Sequence, residues 1–578
     1  MTDQSADRPG TAQPDPPAEG PAPAGDPTPA RAGRVARERV RLVAARVVTG
    51  LALALVLFAL VAPSQLGYLT PEAFLRIPVE GLLGLALLLV LPPRPRRVVA
   101  VAAGLALGVL LIWKAVDVGF HTALARPFDP VFDWSLLPAA VEFLGESDGQ
   151  FTAAMAVTGA VVLTLAVLVL TPLAVLRLSR VVVRHRSAAA RVGVLLGAAW
   201  VVCALLSVQL VPGLPVAAHQ YDRIHQVGAS LLDRRDFKAE AAVDDFRDVP
   251  GERLLTALRG KDVLFAFVES YGRDAVTDPQ LAAEVGAVLA DGEDRLRSAG
   301  FSFRCAYLTS PTVGGASWLA HATLLSGLWV DNQQRYRTLV GGDRMILNHA
   351  FDRAGWRTVG VMPALIRDWP EGEFFGYHRL YGAEDLGYQG PRVSYGPMPD
   401  QYTLAAFERL ERARSTQPVM AEIPLISSHA PWTPVPPLID WDEVGDGAVF
   451  ETVDPVGPSP EAVLADTGQA RTQYRRAVAY SLRTLISYVE TYGDDDLVVV
   501  FLGDHQPSPL ITGEDASHDV PVAIVAGDPA VTDQVTDWGW PDCLDPGPQA
   551  PVWRMDAFRD RFLTAFGPPE NGAPPADR

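Results

Sequence analysis

The sequence predicts a multi-pass membrane domain followed by an α/β domain with a mostly parallel sheet. The chain has 578 residues, 49% of them hydrophobic, which is more than is usual for a soluble protein of this length. Its first 212 residues contain five apolar segments. Beyond residue 260, short apolar runs alternate with runs that have helical spacing, which is the pattern of a sheet covered by helices.

The five apolar segments cover approximately 43–62, 77–91, 98–116, 153–175 and 192–211. Most are long enough to cross a hydrocarbon core of about 30 Å, although the second is short and contains Glu80. Buried helices of a soluble core are the alternative. Residues 1–30 contain few large apolar side chains, so we expect a disordered tail there and another at 567–578.

Arginines indicate the orientation, because short loops rich in Arg stay in the cytoplasm. They cluster before the first segment, between the second and third, and between the fourth and fifth. Five spans across 31–212 would leave the N-terminus in the cytoplasm and everything after residue 212 outside, with a juxtamembrane linker at 213–260. The net charge of −18 argues against a nucleic-acid partner.

The external domain is predicted at 261–566. Its apolar runs "DVLFAFVES", "WRTVGVMPA", "PVMAEIPLISS", "DLVVVFLGD" and "VPVAIVAGD" are typical of strands covered on both faces. Helical spacing is found in "PQLAAEVGAVLADGEDRLRSAG", "DRMILNHAFDRAG", "QYTLAAFERLERAR" and "TQYRRAVAYSLRTLISYVETYG". The three cysteines show no zinc-type spacing, and Cys305 and Cys543 could form a disulfide only if the fold brings them together.

Four polar residues follow apolar strands directly. They are Glu269, His429, Asp504 and His505. Ligands bind at the carboxyl ends of the strands in such sheets, so we expect these residues on one rim. Glu269, Asp504 and His505 offer two carboxylates and one imidazole, which suit Mn²⁺ or Zn²⁺, with Mg²⁺ or Ca²⁺ as alternatives.

Ser317 lies between two glycines and a helical run, in "SPTVGGASWLAHATLLSG". The glycines allow a tight turn, and the positive end of the helix would face an anionic group. Ser317 is a candidate nucleophile and fourth metal ligand, and a metal or a base would be needed to activate its hydroxyl. A plain N-cap is the alternative, and Ser310 and Thr312 are alternative nucleophiles.

Four motifs in this order, "FVESYG", "GGASWLAHATLLSG", "SSHAPW" and "FLGDHQP", resemble the alkaline phosphatase and sulfatase superfamily. With the membrane anchor, the chain is similar to its lipoteichoic acid synthase and phosphoethanolamine transferase branch. Leu319 and His321 stand where the sulfatase signature has proline and arginine, so the resemblance implies that Ser317 is not converted to formylglycine.

The resemblance also suggests further site residues. Histidines placed like His429 and His518 contact the phosphoryl group or serve the leaving group in the related transferases. His321 lies four residues after Ser317 on the same helical face, and could reach the site or be a packed helix residue. The loop "RDWPEGEFFGY", with Arg367, Asp368 and Trp369, is similar to a headgroup-binding loop.

The sequence therefore predicts a metal-dependent phosphotransferase of the cell envelope. It would move a phospho-headgroup from a membrane phospholipid to an envelope glycan, lipid or polymer through a phosphoseryl ester. A hydrolase of phosphate or sulfate esters and an inactive envelope sensor or scaffold are the alternatives.

Overall fold

The computed structural model describes residues 29–63, 71, 74, 77–124, 126–130, 133–147, 149–205, 233–393, 395–453, 457–513 and 515–568. Almost all of both predicted tails lies outside these residues. The predicted boundary at 212 and the first part of the linker, up to residue 232, also lie outside them.

Apolar helices form the N-terminal part of the chain. They are α1 (Pro29–Val61), α2 (Val79–Val90), α3 (Pro93–Leu124), α4 (Leu136–Ser147), α5 (Gln150–Arg184) and α6 (Arg186–Leu205). Among the described residues, four are long and apolar enough to cross a membrane: Arg37–Val61 within α1, then α3, α5, and Arg186–Cys203 within α6.

The predicted count of five spanning segments is therefore corrected to four among the described residues, because the second segment, already short in the sequence, does not reach the length of a span. The α2 helix has 12 residues. At 1.5 Å per residue it is about 18 Å long, well short of a hydrocarbon core of about 30 Å. Pro78 directly before the helix and Pro92 shortly after it limit its length, because proline is tolerated at helix starts and not in helix interiors.

Contacts divide the chain into two units. The first contains residues 1–61, 77–108 and 168–202, and the second contains 62–76, 109–167 and 203–578. In the first unit, Gly104 of α3 lies directly against Pro172 of α5, where a larger side chain would collide with the proline backbone. The Arg177 side chain also donates to Thr49 Oγ1 at 3.0 Å, which joins α5 to α1.

The second unit contains one eight-stranded sheet. Its strands are β1 (Asp262–Val268), β2 (Ser302–Thr309), β3 (Arg357–Val361), β4 (Arg379–Tyr381), β5 (Val419–Leu425), β6 (Leu497–Gly503), β7 (Asp519–Ala526) and β8 (Val552–Arg554). Their order is β4-β3-β5-β1-β6-β7-β2-β8, and only β7 runs antiparallel to its neighbours. The predicted mostly parallel α/β sheet is confirmed.

Helices cover both faces of this sheet. After a helix over 233–242 (α7), they are α8 (Asp274–Thr277), α9 (Ala282–Ser298), α10 (Ser317–Ser326), α11 (Gln333–Val340), α12 (Leu347–Arg353), α13 (Gly372–Phe375), α14 (Asp400–Leu410), α15 (Pro460–Leu464), α16 (Thr467–Tyr492), α17 (Pro509–Thr512), α18 (Pro529–Asp533) and α19 (Phe558–Ala565). The helices α9, α14 and α16 pack on one face, and α10, α11, α12 and α19 pack on the other.

The central strand β1 shows why the sequence segments that form strands are apolar throughout. Its residues alternate between the two cores: Leu264, Ala266 and Val268 face α9, α14 and α16, whereas Val263, Phe265 and Phe267 face α10 and α12. Side chains of a strand point to opposite faces in turn, so a strand covered on both faces needs apolar residues throughout.

All five predicted strands and all four predicted helices are present, and three strands were not foreseen. Of these, β4 and β8 have three residues each, too few to show a pattern. The third, β2, reads "SFRCAYLT" and mixes polar with apolar residues. It also contains Cys305, which forms a disulfide with Cys543, their Cα atoms being 5.5 Å apart. This bond ties β2 to the segment before β8.

Candidate active site

The ends of two neighbouring strands bring the candidate metal ligands together. Parallel pairing of β1 with β6 sets Val268 opposite Gly503, so Glu269 and Asp504 leave the sheet side by side. The ligand atoms of Glu269, Asp504 and His505 all lie within 4.8 Å of one another. His505 Nε2 is 3.5 Å from Glu269 Oε1 and 3.6 Å from Asp504 Oδ2. All three residues are buried.

Ser317 lies against this cluster. It is the first residue of α10, and its hydroxyl donates to Glu269 Oε2 at 3.0 Å. Its Oγ is also 3.2 Å from His505 Nε2. The expected set of Glu269, Ser317, Asp504 and His505 is therefore one cluster in the fold.

The plain N-cap alternative for Ser317 does not fit this geometry. Ala316 occupies the N-cap position, and the Ser317 hydroxyl bonds a carboxylate instead of the helix backbone. The turn before it is held in unusual backbone conformations, with φ of 75° at Gly314 and 62° at Ala316. A side chain at Gly314 would also collide with the carbonyl oxygen of Ala123. Glycine is the residue that tolerates such a turn best.

Backbone groups fix the orientation of Asp504. Its Oδ1 accepts hydrogen bonds from Ser270 N at 2.8 Å and from its neighbour His505 N at 2.7 Å. The hydroxyl of Ser310 donates to the backbone oxygen of Asp504 at 2.6 Å. The second carboxylate oxygen, Oδ2, thereby remains directed towards the cluster.

Gln506 fixes the imidazole. Its backbone oxygen accepts a hydrogen bond from His505 Nδ1 at 2.8 Å, which leaves Nε2 with a lone pair in the neutral ring. The Gln506 side chain lies against Gly272, where a Cβ atom would overlap the amide group. Metal-binding histidines commonly donate their second ring nitrogen in this way.

The electrostatics of the cluster are dominated by its two carboxylates. Burial raises the pKa of Asp504 to about 6, and the negative charge of Glu269 adds to the effect. Burial also acts to raise the pKa of Glu269, but the positive charges of His505 and then His429 outweigh it and lower the pKa to about 2. For His505, burial acts to lower the pKa, but the two carboxylates outweigh it and raise the pKa.

These residues fit a divalent cation. Within the described part of the α/β domain, neither Glu269 nor Asp504 forms an ion pair with a lysine or arginine, and His505 is the partner of both. Two buried carboxylates with one imidazole carry excess negative charge, which is costly to bury without a cation. Oxygen and imidazole nitrogen are suitable ligands for Mn²⁺ or Zn²⁺.

His429 lies at the edge of the cluster in a constrained loop. Its Nδ1 donates to the carbonyl oxygen of Ala430 at 2.7 Å, and its ring stacks on Tyr395 with centroids 3.9 Å apart. Its charge acts on Glu269, as noted above. A contact between His429 and the phosphoryl group remains a prediction, and the place of His429 at the edge of the cluster favours it.

The other predicted residues have different surroundings. The exposed His518 pairs with Ser310 through its backbone oxygen at 2.9 Å and through Nδ1 at 3.3 Å. The Ser310 hydroxyl is committed to Asp504, which leaves it poorly placed as a nucleophile. Thr312 Oγ1 is buried and makes no hydrogen bond to any described residue.

Arg367, Asp368 and Trp369 lie in one loop. Among the described contacts, none of Asp368 or Trp369 reaches the cluster around Ser317. Arg367 and Asp368 are exposed. Trp369 packs on Phe375 with ring centroids 5.0 Å apart. Its role in headgroup binding stays a prediction.

Several supporting residues were missed by the sequence reasoning. Ser270 and Gln506 flank predicted ligands, and Ser428 donates to the Glu269 backbone oxygen at 2.6 Å. Glu422 is a carboxylate in the middle of the apolar run that forms β5, and it bonds His321 Nδ1 at 2.8 Å. A charged residue inside a buried strand is a signal that could have identified it.

Comparison with known proteins gives likenesses of structure only. No family model and no curated protein matches the chain. Among solved structures, it is similar to phosphoethanolamine transferase EptA from Neisseria meningitidis, with 14% identity over 86% of this chain and 87% of that chain and a TM-score of 0.42. It is also similar to lipoteichoic acid synthase LtaP from Listeria monocytogenes, with 16% identity over 59% of this chain and 78% of that chain and a TM-score of 0.36.

A third likeness is to phosphoglycerol transferase GacH from Streptococcus pyogenes, with 12% identity over 50% of this chain and 74% of that chain and a TM-score of 0.32. These are the kinds of protein that the sequence motifs resemble. At such identities and TM-scores they say nothing about the activity of this chain, for which the geometry of the site is the basis.

We expect Glu269→Gln, Asp504→Asn and His505→Gln each to remove the bound metal and the activity together. Each replaces a carboxylate or imidazole ligand by a neutral, weakly binding amide, so affinity should fall by more than the roughly 10- to 100-fold caused by losing outer partners of a ligand. Metal analysis of the purified variants checks this, with the exposed Asp537→Asn as control. Full metal occupancy in all three variants would show that the ligands are different ones.

Asp400 holds the loop that carries His429. Its Oδ1 accepts from Ser427 N at 3.0 Å, and its Oδ2 accepts from the Ser481 hydroxyl at 2.6 Å. Asp400 is fully buried, and burial raises its pKa from 3.8 to about 6. The folded protein therefore binds the proton of the Asp400 carboxyl group more tightly than the unfolded chain does.

The stability that Asp400 contributes should be fully present below about pH 4 and lost as the pH rises through about 6. The change is up to about 3 kcal/mol for a shift of this size. Asp400→Asn keeps the packing and removes the titration. Unfolding of both proteins followed between pH 4 and 7 checks the prediction, and stability curves that stay parallel over this range would contradict it.

Proposed function

We propose that this chain is a membrane-anchored, metal-dependent phosphotransferase of the cell envelope that works through a phosphoseryl intermediate. The observation that carries the proposal is the hydrogen bonding of Ser317 Oγ to Glu269 Oε2 and its approach to His505 Nε2 at the start of a helix. A hydroxyl in such a cluster has the position of a nucleophile beside a metal site.

Glu269, Asp504 and His505 would hold the metal, Mn²⁺ or Zn²⁺. The metal would supply positive charge that lowers the pKa of a nearby hydroxyl and attracts a phosphoryl oxygen. The first turn of α10 presents its N–H groups and the positive end of its dipole beside Ser317, which favours an anionic substrate. His429, stacked on Tyr395 at the edge of the cluster, would contact the phosphoryl group or the leaving oxygen.

The donor in this proposal is a membrane phospholipid, and the acceptor is a hydroxyl of an envelope glycan, lipid or polymer. Four long apolar helices hold the α/β domain at a membrane, where a lipid donor is at hand. Ser317 attacks the phosphorus of the headgroup, diacylglycerol leaves, and the acceptor hydroxyl then displaces Ser317. Leu319 and His321 break the sulfatase maturation signature, so Ser317 stays a serine.

The proposed side for the domain is outside the cytoplasm. A disulfide between Cys305 and Cys543 persists in an oxidising compartment, which supports this placement.

Release of diacylglycerol tests this function. The purified full chain, supplied with Mn²⁺ or Zn²⁺ in vesicles of phosphatidylglycerol or phosphatidylethanolamine, should release diacylglycerol and cleave aryl sulfates poorly. Ser317→Ala should keep its fold and most of its metal and lose activity at least about 1,000-fold. Ser298→Ala, which changes an exposed helical serine, is the matched control. Fast aryl sulfate cleavage without diacylglycerol from either lipid would favour the hydrolase instead.

A further inference from the structure

The Ser317 hydroxyl must lose its proton when its oxygen attacks phosphorus. The two groups closest to its hydroxyl are Glu269 Oε2 and His505 Nε2. In the proposed function both atoms belong to metal ligands, and an atom that donates its lone pair to a metal is a poor proton acceptor. Another group is therefore needed to take the proton when the oxygen attacks phosphorus.

His321 is a buried imidazole with one nitrogen in use and one without a partner. It is 8% exposed, and its Nδ1 lies 2.8 Å from Glu422 Oε1. Its Nε2 is buried and forms no hydrogen bond to any described residue. A buried polar atom without a partner costs about 1–3 kcal/mol, so Nε2 would gain from a proton donor placed beside it.

The position of His321 is beside the nucleophile. It follows Ser317 by four residues on α10, which places both on one helix face. Side chains on a helix lean towards its N-terminus, so the imidazole leans towards the turn of Ser317. Its ring stacks on Phe267, two residues before Glu269, with centroids 3.8 Å apart.

A chain of buried groups fixes this imidazole. Glu422 lies in β5 between Phe265 of β1 and Gly360 of β3, and it is 1% exposed. One of its oxygens faces His321 Nδ1, and the other accepts from the Tyr377 hydroxyl. Burial, followed by the charge of Glu422, raises the pKa of Tyr377, so the phenol stays a donor. The Nδ1–H of His321 is thus directed to the carboxylate, and Nε2 is available for a proton.

We propose that His321 accepts the proton of Ser317, and that Glu422 and Tyr377 are positioning residues for it. The inference rests on the proposed function. In the first half-reaction the Ser317 oxygen bonds to phosphorus and its proton passes to His321 Nε2, while the lipid oxygen leaves and takes a proton from water.

The second half-reaction returns the proton. The acceptor oxygen bonds to phosphorus and gives its proton to water, the bond between phosphorus and the Ser317 oxygen breaks, and that oxygen takes the proton back from His321. The imidazolium formed in between is stabilised by the Glu422 carboxylate. The titratable groups around His321 are Glu422, which it contacts, Tyr377, which contacts Glu422, and Asp504.

A chromogenic phosphodiester, bis(p-nitrophenyl) phosphate, isolates the nucleophile side, because p-nitrophenolate leaves without needing a proton. With the metal-loaded full chain, His321→Gln should keep its metal and lose turnover about 100-fold or more. In the same variant, the acidic limb of the pH profile of turnover should disappear. Imidazole added to His321→Ala should restore part of the rate in proportion to its unprotonated fraction.

Glu422→Gln and Tyr377→Phe should lower kcat with little change in KM and shift the same acidic limb. These two variants test the proposal if His321→Gln does not fold. His349→Gln, a half-buried helical histidine that contacts the Phe374 carbonyl, is the matched control and should leave the profile unchanged. Turnover within about threefold of the wild type at every pH, loss of metal from His321→Gln, or an unshifted limb in Glu422→Gln would overturn the proposal. A wild-type chain that cleaves no phosphodiester would overturn the proposed function itself.

Discussion

The parallel pairing of β1 with β6 is the constraint on which the site depends. Because Val268 lies opposite Gly503, the next residue of each strand emerges at the same point, and Glu269 meets Asp504 and His505. The pairing is stabilised by apolar cores on both faces, so the carboxylates are carried by the most buried part of the domain. Their burial is what makes a cation favourable there, since two buried carboxylates with a single imidazole between them carry excess negative charge.

The backbone around this point is shaped to bring the Ser317 hydroxyl onto the cluster. The turn before α10 uses Gly314 and a left-handed Ala316 to bring Ser317 onto the two ligands. Gly272 leaves room for Gln506, whose backbone oxygen orients His505. Backbone strain of this kind is retained where the surrounding structure fixes it, and functional sites are where it concentrates. The few backbone positions that the fold constrains here are therefore also the ones that orient the site residues.

Much of this arrangement was predictable from the sequence because it follows strand by strand. The apolar runs of β1 and β6 are followed directly by the polar residues of the cluster, so Glu269, Asp504 and His505 could be placed on one rim without coordinates. The partner of His321 could not, because Glu422 and His321 are 101 residues apart and meet only through the strand order. The second apolar segment was recognised as short but still counted among five spans, because hydropathy alone does not register where prolines end a helix. The strands β4 and β8 are too short to leave a pattern.

The measurement that most directly tests the central claim is mass spectrometry of the metal-loaded chain, quenched in acid during turnover of a phospholipid without acceptor. The account predicts a covalent phospho-headgroup on Ser317 that disappears when an acceptor hydroxyl is added. A headgroup on Ser310 or Thr312, or a formylglycine at position 317, would contradict it.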